Sequence, residues 1–340
     1  MRHFFIALLL TPLVGCTGGR PNGEVAEVRI PTGAGGVGFL PLLVMEKNHL
    51  IEEEAKKLGV SQLHVQWINL GGPAVMNDAL LSGSVDFIAA GPPAFLTLWD
   101  KTRDSSKVTG MAAMASLPMY LNTTSSSLKS PEDLSAKDKI AMTAIKVSIP
   151  ALVLQMYAEQ KYGPAQFARF DKYTVTMTHP DGMTALLASS GASSGAIDAH
   201  FTSPPFHQRE RKDARVRTVL TSDDVMGGST TFTMISTTTA FREHNPKVYA
   251  AVLAALDEAN RRIVADKRAA AELLAASSGD AGLSADEIVQ VLGDPAIKFT
   301  TTPENVMKYA GFMHRIGSLQ HLPGSWKELF FPEIQGVPGS

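Results

Sequence analysis

The residues of this chain that could do chemistry are glycines, prolines and hydroxyl side chains at predicted helix starts. In VDFIAAGPPAFLTLWD, residues 85–100, an apolar strand pattern ends at Gly91, and Pro92 begins a helix-like run. The first N–H groups of a helix lack intrahelical partners, and proline is tolerated there because it has no N–H to lose. Such a start attracts an anion or a polar ligand group, so the stretch predicts a binding site. The alternative is that Gly91 only supplies a turn with a positive φ angle.

Three hydroxyl side chains and one lysine offer similar chemistry later in the chain. Ser148 precedes the run IPALVLQMY as a predicted N-cap, Lys146 lies two residues before it, and Thr202 and Ser203 precede a helix predicted to begin at Pro204-Pro205. A hydroxyl beside free backbone N–H groups can hold a carboxylate or a sulfonate, and the lysine ammonium can add charge. The alternative for the hydroxyls is plain helix capping, and for Lys146 it is a solvated loop position.

Common catalytic, metal and nucleic-acid signatures are missing from the sequence. There is no Gly-x-Ser-x-Gly elbow, no phosphate loop and no paired-histidine zinc motif, and neither His179 nor His200 has a partner at metal-ligand spacing. The 31 basic and 33 acidic residues give a net charge of −2 without a basic stripe. We therefore expect a binding protein with no cofactor, metal or nucleic acid, and an exported enzyme is the least favoured alternative.

The candidate residues follow strands in an alternating series of strands and helices. Strands are predicted at 25–30, 63–69 and 108–121, and a glycine-rich loop at 33–38 leads into a helix at 40–58. Strands that alternate with helices indicate a parallel α/β sheet, whose ligands bind beyond the carboxyl ends of the strands.

This pattern occurs twice along the chain. Asp86 precedes Pro92-Pro93 by six and seven residues, and Asp198 precedes Pro204-Pro205 by the same spacing. The repeat predicts two related lobes, the first made of residues 25–120 plus 232–340 and the second of residues 121–231. The chain then crosses between lobes near residues 120 and 230, which is typical of a hinge.

The N-terminus, MRHFFIALLLTPLVGC, is typical of an export signal in residues 1–16. It ends in a lipobox, Leu13-Val14-Gly15-Cys16, and Cys16 is the only cysteine of the chain. We expect Cys16 to be acylated, with residues 17–24 as a flexible tether to a bacterial membrane, in the periplasm or at the cell surface. An ordinary signal peptide with a chance cysteine is the alternative.

Four further stretches carry a family resemblance: GFLPLLVMEKNHLIEEEAKKLG, LLSGSVDFIAAGPPAFL, SPEDLSAKDKIAM and FREHNPKVYAAVLAALDEA. With the lipobox, they resemble the substrate-binding proteins of ABC importers of the nitrate, sulfonate, taurine and pyrimidine-precursor type, over residues 25–326. The resemblance implies an α/β, two-lobe periplasmic-binding-protein type II fold, with a ligand cleft between the lobes and a hinge of two crossing strands. It also implies a small-molecule ligand, an ABC permease and its ATPase as partners, and a monomer. A sensor lipoprotein that presents ligand to a membrane receptor is the alternative.

The same resemblance implies which residues line the cleft. They are Gly38, Phe39, Gly71, Gly72, Gly91 and Pro92 of the first lobe, Ser148, Thr202 and Ser203 of the second, and Gly228 and Ser229 near the hinge. These loops contain no arginine, whereas a bidentate arginine is a common means of holding an anion.

Overall fold

The computed structural model describes residues 24–33, 35–70, 73–145, 148–188, 196–277 and 283–340. The predicted signal peptide with Cys16, nearly all of the tether, Gly71, Gly72 and Lys146 lie outside the described residues. Across the described part of the chain, no helix combines the length and the apolar character needed to cross a membrane.

Two sheets are built by strands from the start of the chain and from its return after residue 230. The first pairs β1 (Glu27–Pro31) in parallel with β2 (His64–Ile68). The second has the order β11 (Lys298–Phe299), β4 (Val108–Ser116), β10 (Thr231–Thr238), β3 (Phe87–Ala90), and its pairs are antiparallel.

A third sheet is built by the intervening strands. Its order is β7 (Thr174–Thr176), β6 (Ile140–Met142), β8 (Ala199–Thr202), β5 (Tyr120–Thr123), β9 (Arg217–Thr221). β6 is parallel to β7 and β8, whereas β5 is antiparallel to β8 and β9. The chain therefore passes between the second and third sheets at residues 117–119 and again at residues 222–230.

Helices connect the strands and cover the sheets. They are α1 (Leu40–Lys47), α2 (Leu50–Lys57), α3 (Pro73–Leu81), α4 (Pro92–Lys101), α5 (Ile149–Tyr162), α6 (His179–Ala188), α7 (Phe206–Glu210), α8 (Ser222–Met226), α9 (Thr239–His244), α10 (Pro246–Ala265), α11 (Lys267–Ser277), α12 (Ala285–Leu292), α13 (Val306–Arg315) and α14 (Trp326–Leu329). The apolar faces of α1, α2 and α10 pack together in the main core, with Leu42, Ile51 and Leu256 fully buried.

Three element boundaries differ from the sequence prediction. The helix predicted at 40–58 is two helices, because His49 adopts a left-handed conformation with φ 51° and ψ 37°. The strand predicted at 108–121 ends at Ser116 and resumes at Tyr120, on either side of Pro118. The helix predicted to begin at Pro204-Pro205 begins at Phe206, with Pro205 as its N-cap residue.

Candidate functional site

Phe232, at the start of β10, lies at the centre of the candidate site. A β-carbon on Gly38 would lie 2.3 Å from Cδ1 of the Phe232 ring, so the ring fills the space that a side chain at Gly38 would need. The Phe39 ring meets the Phe232 ring edge to face, with 6.5 Å between centroids. The hydroxyl of Thr233 donates a 2.6 Å hydrogen bond to the Gly38 carbonyl and fixes the glycine loop on β10.

Gly91 packs against the same region from the end of β3. Its φ of −75° and ψ of 160° are open to any residue, so the interpretation that the turn needs a positive φ is wrong. A β-carbon on Gly91 would instead lie 2.8 Å from Cδ1 of Ile149 and 3.1 Å from the Phe232 carbonyl oxygen. Pro92 follows as the first residue of α4. The end of β3 therefore meets the first residue of α5, from the part of the chain that builds the third sheet.

A second contact joins the glycine loop after β1 to the loop after β8. A β-carbon on Gly36 would lie 3.6 Å from Cδ of Pro205, 3.7 Å from the Pro204 carbonyl oxygen and 4.0 Å from Cε2 of Phe206. A side chain at Gly36 or at Gly91 would therefore meet residues from the other half of the molecule, so loops of the two halves lie close together at these two places.

The candidate hydroxyls differ in whether they already have partners. Ser148 is the N-cap of α5, since its Oγ accepts a 3.4 Å hydrogen bond from the Ala151 N–H and donates a 2.5 Å bond to the Ala144 carbonyl. Thr202 is fully buried at the end of β8, and its hydroxyl has no hydrogen-bond partner in the described chain. Ser203 is also buried, and its carbonyl accepts from the His207 N–H at 3.1 Å.

Gly228 and Ser229 occupy a different place from the other candidates. The Ser229 hydroxyl donates a 2.8 Å hydrogen bond to Oε2 of Glu304, and Asn305 Nδ2 donates a 2.7 Å bond to the Ser229 carbonyl. Gly228 adopts φ 131°, which favours glycine. Within the described residues these bonds tie the pair to the segment before α13 and not to the loops around Phe232.

A chain of buried polar side chains runs through the third sheet behind the end of β8. His200 and Glu210 are both fully buried, with His200 Nδ1 2.5 Å from Glu210 Oε1. Asn122 Nδ2 donates a 2.7 Å hydrogen bond to Glu210 Oε2, and the Thr218 hydroxyl donates a 2.8 Å bond to Asn122 Oδ1. On the other side, His200 Nε2 lies 3.2 Å from Nδ1 of His179, the first residue of α6.

Two histidines beside this chain, His179 and His207, are neutral at physiological pH. Burial, together with the nearby His200, lowers the pKa of His179 to about 3. Burial also lowers the pKa of His207 to about 4, and its ring stacks on Tyr120 with 3.6 Å between centroids. No group of three or more His, Cys, Asp or Glu side chains in the described segments is arranged to hold a metal ion.

Sequence reasoning missed Phe232, Ile149 and the buried polar chain. Strand alternation in TTFTMIS places Phe232 on one face of β10, but only the fold brings that face to Gly38 and Gly91. His200 and Glu210 are ten residues apart on different elements, so no spacing rule connects them.

Two crevices of about 400 Å³ lie away from these loops. One lies between α9 and α10 and is lined by Arg242, Tyr249 and Glu333, and the other lies between α8 and α13 and is lined by Met226, Lys308 and Arg315. The cations in both crevices already have protein partners: Glu333 binds Arg242, Glu159 binds Arg315, and the Met226 carbonyl binds Lys308. Neither crevice therefore offers a free charge for an anion.

Comparison with known proteins identifies the fold. No protein-family model matches the chain, and no curated protein matches its sequence. The periplasmic aliphatic sulphonate-binding protein SsuA of Escherichia coli is similar in structure, at 17% identity and a TM-score of 0.64, over 91% of this chain and 92% of that one. The alkanesulfonate-binding protein SsuA of Xanthomonas axonopodis, bound to MOPS, is 17% identical with a TM-score of 0.65, over 91% and 97%.

The periplasmic nitrate-binding protein NrtA of Synechocystis is similar as well. It is 14% identical with a TM-score of 0.61, over 87% of this chain and 83% of that one. The chain thus has the periplasmic-binding-protein fold, and the fold class predicted from the sequence is confirmed.

Proposed function

We propose that this chain is the extracytoplasmic substrate-binding component of an ABC importer. It captures a small organic anion or polar molecule in the cleft between its two lobes and delivers the molecule to a membrane permease. The observation that carries this proposal is that loops from both halves approach each other at two places, at Gly91 beside Ile149 and Phe232, and at Gly36 beside Pro205. Both lobes also place helix starts there, where a ligand is expected in an α/β fold.

The ligand class follows from the groups at these loops. Pro92 and Pro93 have no N–H and the Phe95 N–H is bonded to the Gly91 carbonyl, so the first turn of α4 offers the Ala94 N–H. The buried Thr202 hydroxyl has no partner in the described chain and can donate. A helix terminus contributes about 0.3–1 kcal/mol toward an anion and a charge-assisted hydrogen bond about 1.5–3 kcal/mol. Several such contacts reach the roughly 8 kcal/mol of a micromolar site. A sulfonate, taurine, nitrate, an aromatic carboxylate or a pyrimidine precursor fits, and the solved neighbours named for sulfonate and nitrate binding support this range.

The proposed residues divide by role. Gly38, Phe39, Gly91, Pro92, Thr202 and Ser203 line the cleft in this proposal, with Gly71, Gly72 and Lys146 from the segments outside the description, Ser148 as a cap beside it, and Gly228 and Ser229 at the hinge. The protein acts as a monomer held to the membrane through an acyl group on Cys16. Its partners are the ligand, the permease and the ATPase.

A thermal-shift panel of sulfonates, nitrate, aromatic acids and pyrimidines tests the function. A ligand present at 100 times its dissociation constant adds about 2.7 kcal/mol of stability, which raises the melting temperature measurably. We expect at least one compound of the panel to do so. No shift with any of them would contradict the proposal. Stimulation of the ATPase of a reconstituted permease by the liganded protein would separate import from sensing.

A further inference from the structure

The buried pair of His200 and Glu210 determines where the hydrogens of the neighbouring rings lie. Asn122 donates to Oε2 of Glu210, so Oε1 is the oxygen that faces His200 Nδ1 at 2.5 Å. Both side chains are fully buried, and an uncompensated buried charge is costly. A carboxylate that faces a neutral imidazole would leave one negative charge buried, so burial favours the arrangement with no net charge, in which one proton lies in the Oε1–Nδ1 contact and a second is on His200 Nε2.

This proton count fixes the hydrogen on the other nitrogen of His200. Whether the shared proton sits on Nδ1 or on the carboxyl oxygen, His200 carries a hydrogen on Nε2. His200 Nε2 therefore donates to Nδ1 of His179, 3.2 Å away. The neutral His179 ring accepts at Nδ1 and must carry its own hydrogen on Nε2. No hydrogen-bond partner for His179 Nε2 is present in the described chain.

His179 lies on the side of the third sheet that faces the glycine loop of the first lobe. It follows β7 at the start of α6, and its ring packs on Phe206 with 5.4 Å between centroids. Phe206 in turn lies 4.0 Å from the position of a β-carbon on Gly36. A single ring therefore separates His179 from the opposite lobe.

Thr202 gives an independent indication of a ligand at the same place. Side chains alternate along a strand, so Thr202 points to the same face of β8 as His200, one step closer to the carboxyl end. Its hydroxyl is fully buried and has no partner in the described chain. A buried polar group without a partner is rare in folded proteins, and a bound ligand would supply one.

We propose that His179 is a ligand-binding residue that donates from its Nε2–H to an acceptor oxygen of the ligand, and that Glu210 and His200 are positioning residues that hold it in this tautomer. The inference rests on the proposed function for the existence of a ligand, and it narrows the ligand to one with an acceptor oxygen next to Thr202. A ligand that offers only N–H donors at this point is excluded.

Three substitutions test the relay, which is the chain of hydrogen bonds from Glu210 through His200 to His179, against a general effect of packing. Glu210→Gln can place its oxygen toward Asn122 and its amide N–H toward His200 Nδ1, which preserves the tautomer, whereas Glu210→Leu removes both interactions. Gly182 lies over the His200 ring, and a β-carbon there would lie 2.6 Å from His200 Nε2. Gly182→Ala therefore displaces the His200 ring without changing any titratable group. It takes the place of Glu210→Leu in the experiment if Glu210→Leu does not fold.

The experiment is nitrogen-15 NMR of histidine-labelled protein at pH 7.5, before and after addition of ethanesulfonate. We expect His179 in the Nε2–H tautomer in the wild type and in Glu210→Gln, a mixture of tautomers in Glu210→Leu and Gly182→Ala, and a shift of the His179 Nε2 resonance on addition of ethanesulfonate. By calorimetry, His179→Leu should weaken ethanesulfonate binding by about 10- to 100-fold, whereas His179→Gln, which keeps a donor near Nε2, should retain most of the affinity.

The outcomes distinguish this inference from the function on which it rests. If His179 carries its hydrogen on Nδ1 in the wild type, or if its tautomer is unchanged in both Glu210→Leu and Gly182→Ala, then Glu210 and His200 do not set the tautomer of His179. If ethanesulfonate binds and the His179 Nε2 resonance does not shift, then His179 does not contact the ligand. If the tautomers are as expected but no compound of the panel binds, then the positioning of His179 by Glu210 and His200 is supported and the proposed function as an importer component is contradicted.

Discussion

Asp86 and Asp198 make the same pair of hydrogen bonds in two different parts of the molecule. Asp86, before β3, accepts from the Arg29 N–H of β1 at 2.8 Å and donates its own N–H to the Arg29 carbonyl at 2.9 Å. Asp198, before β8, accepts from the Lys139 N–H at 2.9 Å and donates to the Lys139 carbonyl at 2.9 Å. Each aspartate thus fastens the strand that leads into a candidate binding loop.

Substitution of either aspartate should destabilise the protein by a similar amount. A hydrogen bond to a charged group contributes about 1.5–3 kcal/mol, and we expect this loss for Asp198→Ala. Asp86 also pairs with the half-exposed Arg29 guanidinium at 2.9 Å, which adds at most about 1 kcal/mol for Asp86→Ala. Urea unfolding measures both, with the exposed Asp257→Ala on α10 as control, expected within about 0.5 kcal/mol of wild type. Losses no larger than that of the control would contradict the stabilising role of the two aspartates, and losses that differ by much more than about 1 kcal/mol would contradict their equivalence.

Thr202→Val should have opposite effects on stability and on binding. Valine has nearly the shape of threonine and removes a buried hydroxyl that has no partner in the described chain, so the free energy of unfolding without ligand should stay constant or rise. The ligand loses a hydrogen bond, so its affinity should fall by about tenfold. Thr233→Val, which removes the bond to the Gly38 carbonyl, is the matched control and should lower stability. A clear loss of stability in Thr202→Val would show that its hydroxyl is satisfied within the protein.

Stability should decrease as the pH falls below about 6.5, in part because of His179. Burial holds the pKa of His179 at about 3, below the value of about 6.5 in an unfolded chain. Between these values the unfolded state binds more protons, so the free energy of unfolding rises with pH, by at most about 1.4 kcal/mol per pH unit for one group. Urea unfolding at pH 7.5, 5.5 and 4.5 should give a smaller pH dependence for His179→Gln than for wild type. Equal slopes would mean that His179 is not neutral in the folded protein below pH 6.5.

Membrane attachment should depend on Cys16. We expect metabolic labelling with a palmitate analogue to tag the wild-type protein in its bacterial host, because the lipobox cysteine becomes the acylated N-terminus. Cys16→Ser should lose the label and move from the membrane fraction to the soluble fraction. Unlabelled wild type that is absent from the membrane fraction would contradict the lipid anchor.

The sequence predicted elements and helix starts well where local chemistry decides them. Pro92 begins α4, Ser148 caps α5, and Gly163 with φ 86° ends it, because capping and proline rules act over a few residues. The break at His49 was not predicted, since histidine rarely adopts a left-handed conformation.

The contacts of the candidate site join residues that are far apart in the chain, so they could not be predicted from the sequence. Gly91 meets Ile149 and Phe232 only once the sheets have assembled. For the same reason, the sequence treated His179 and His200 as isolated histidines, although the fold places their rings 3.2 Å apart at their nearest nitrogens.

The contact between Gly91 and Ile149 provides the most direct test of a ligand cleft between the lobes. Calorimetric titration of wild type, Gly91→Val and Gly163→Ala, with the compound that gives the largest thermal shift, compares a cleft glycine with a distant one. Gly163 has φ 86° and ψ 168°, and no atom lies within 4 Å of a β-carbon placed there, so Gly163→Ala should cost about 1–3 kcal/mol of stability and keep wild-type affinity. Gly91→Val should remain folded and lose binding, because its side chain displaces the Ile149 side chain and fills space between the loops of the two lobes. Wild-type affinity in Gly91→Val would contradict a ligand site between these lobes.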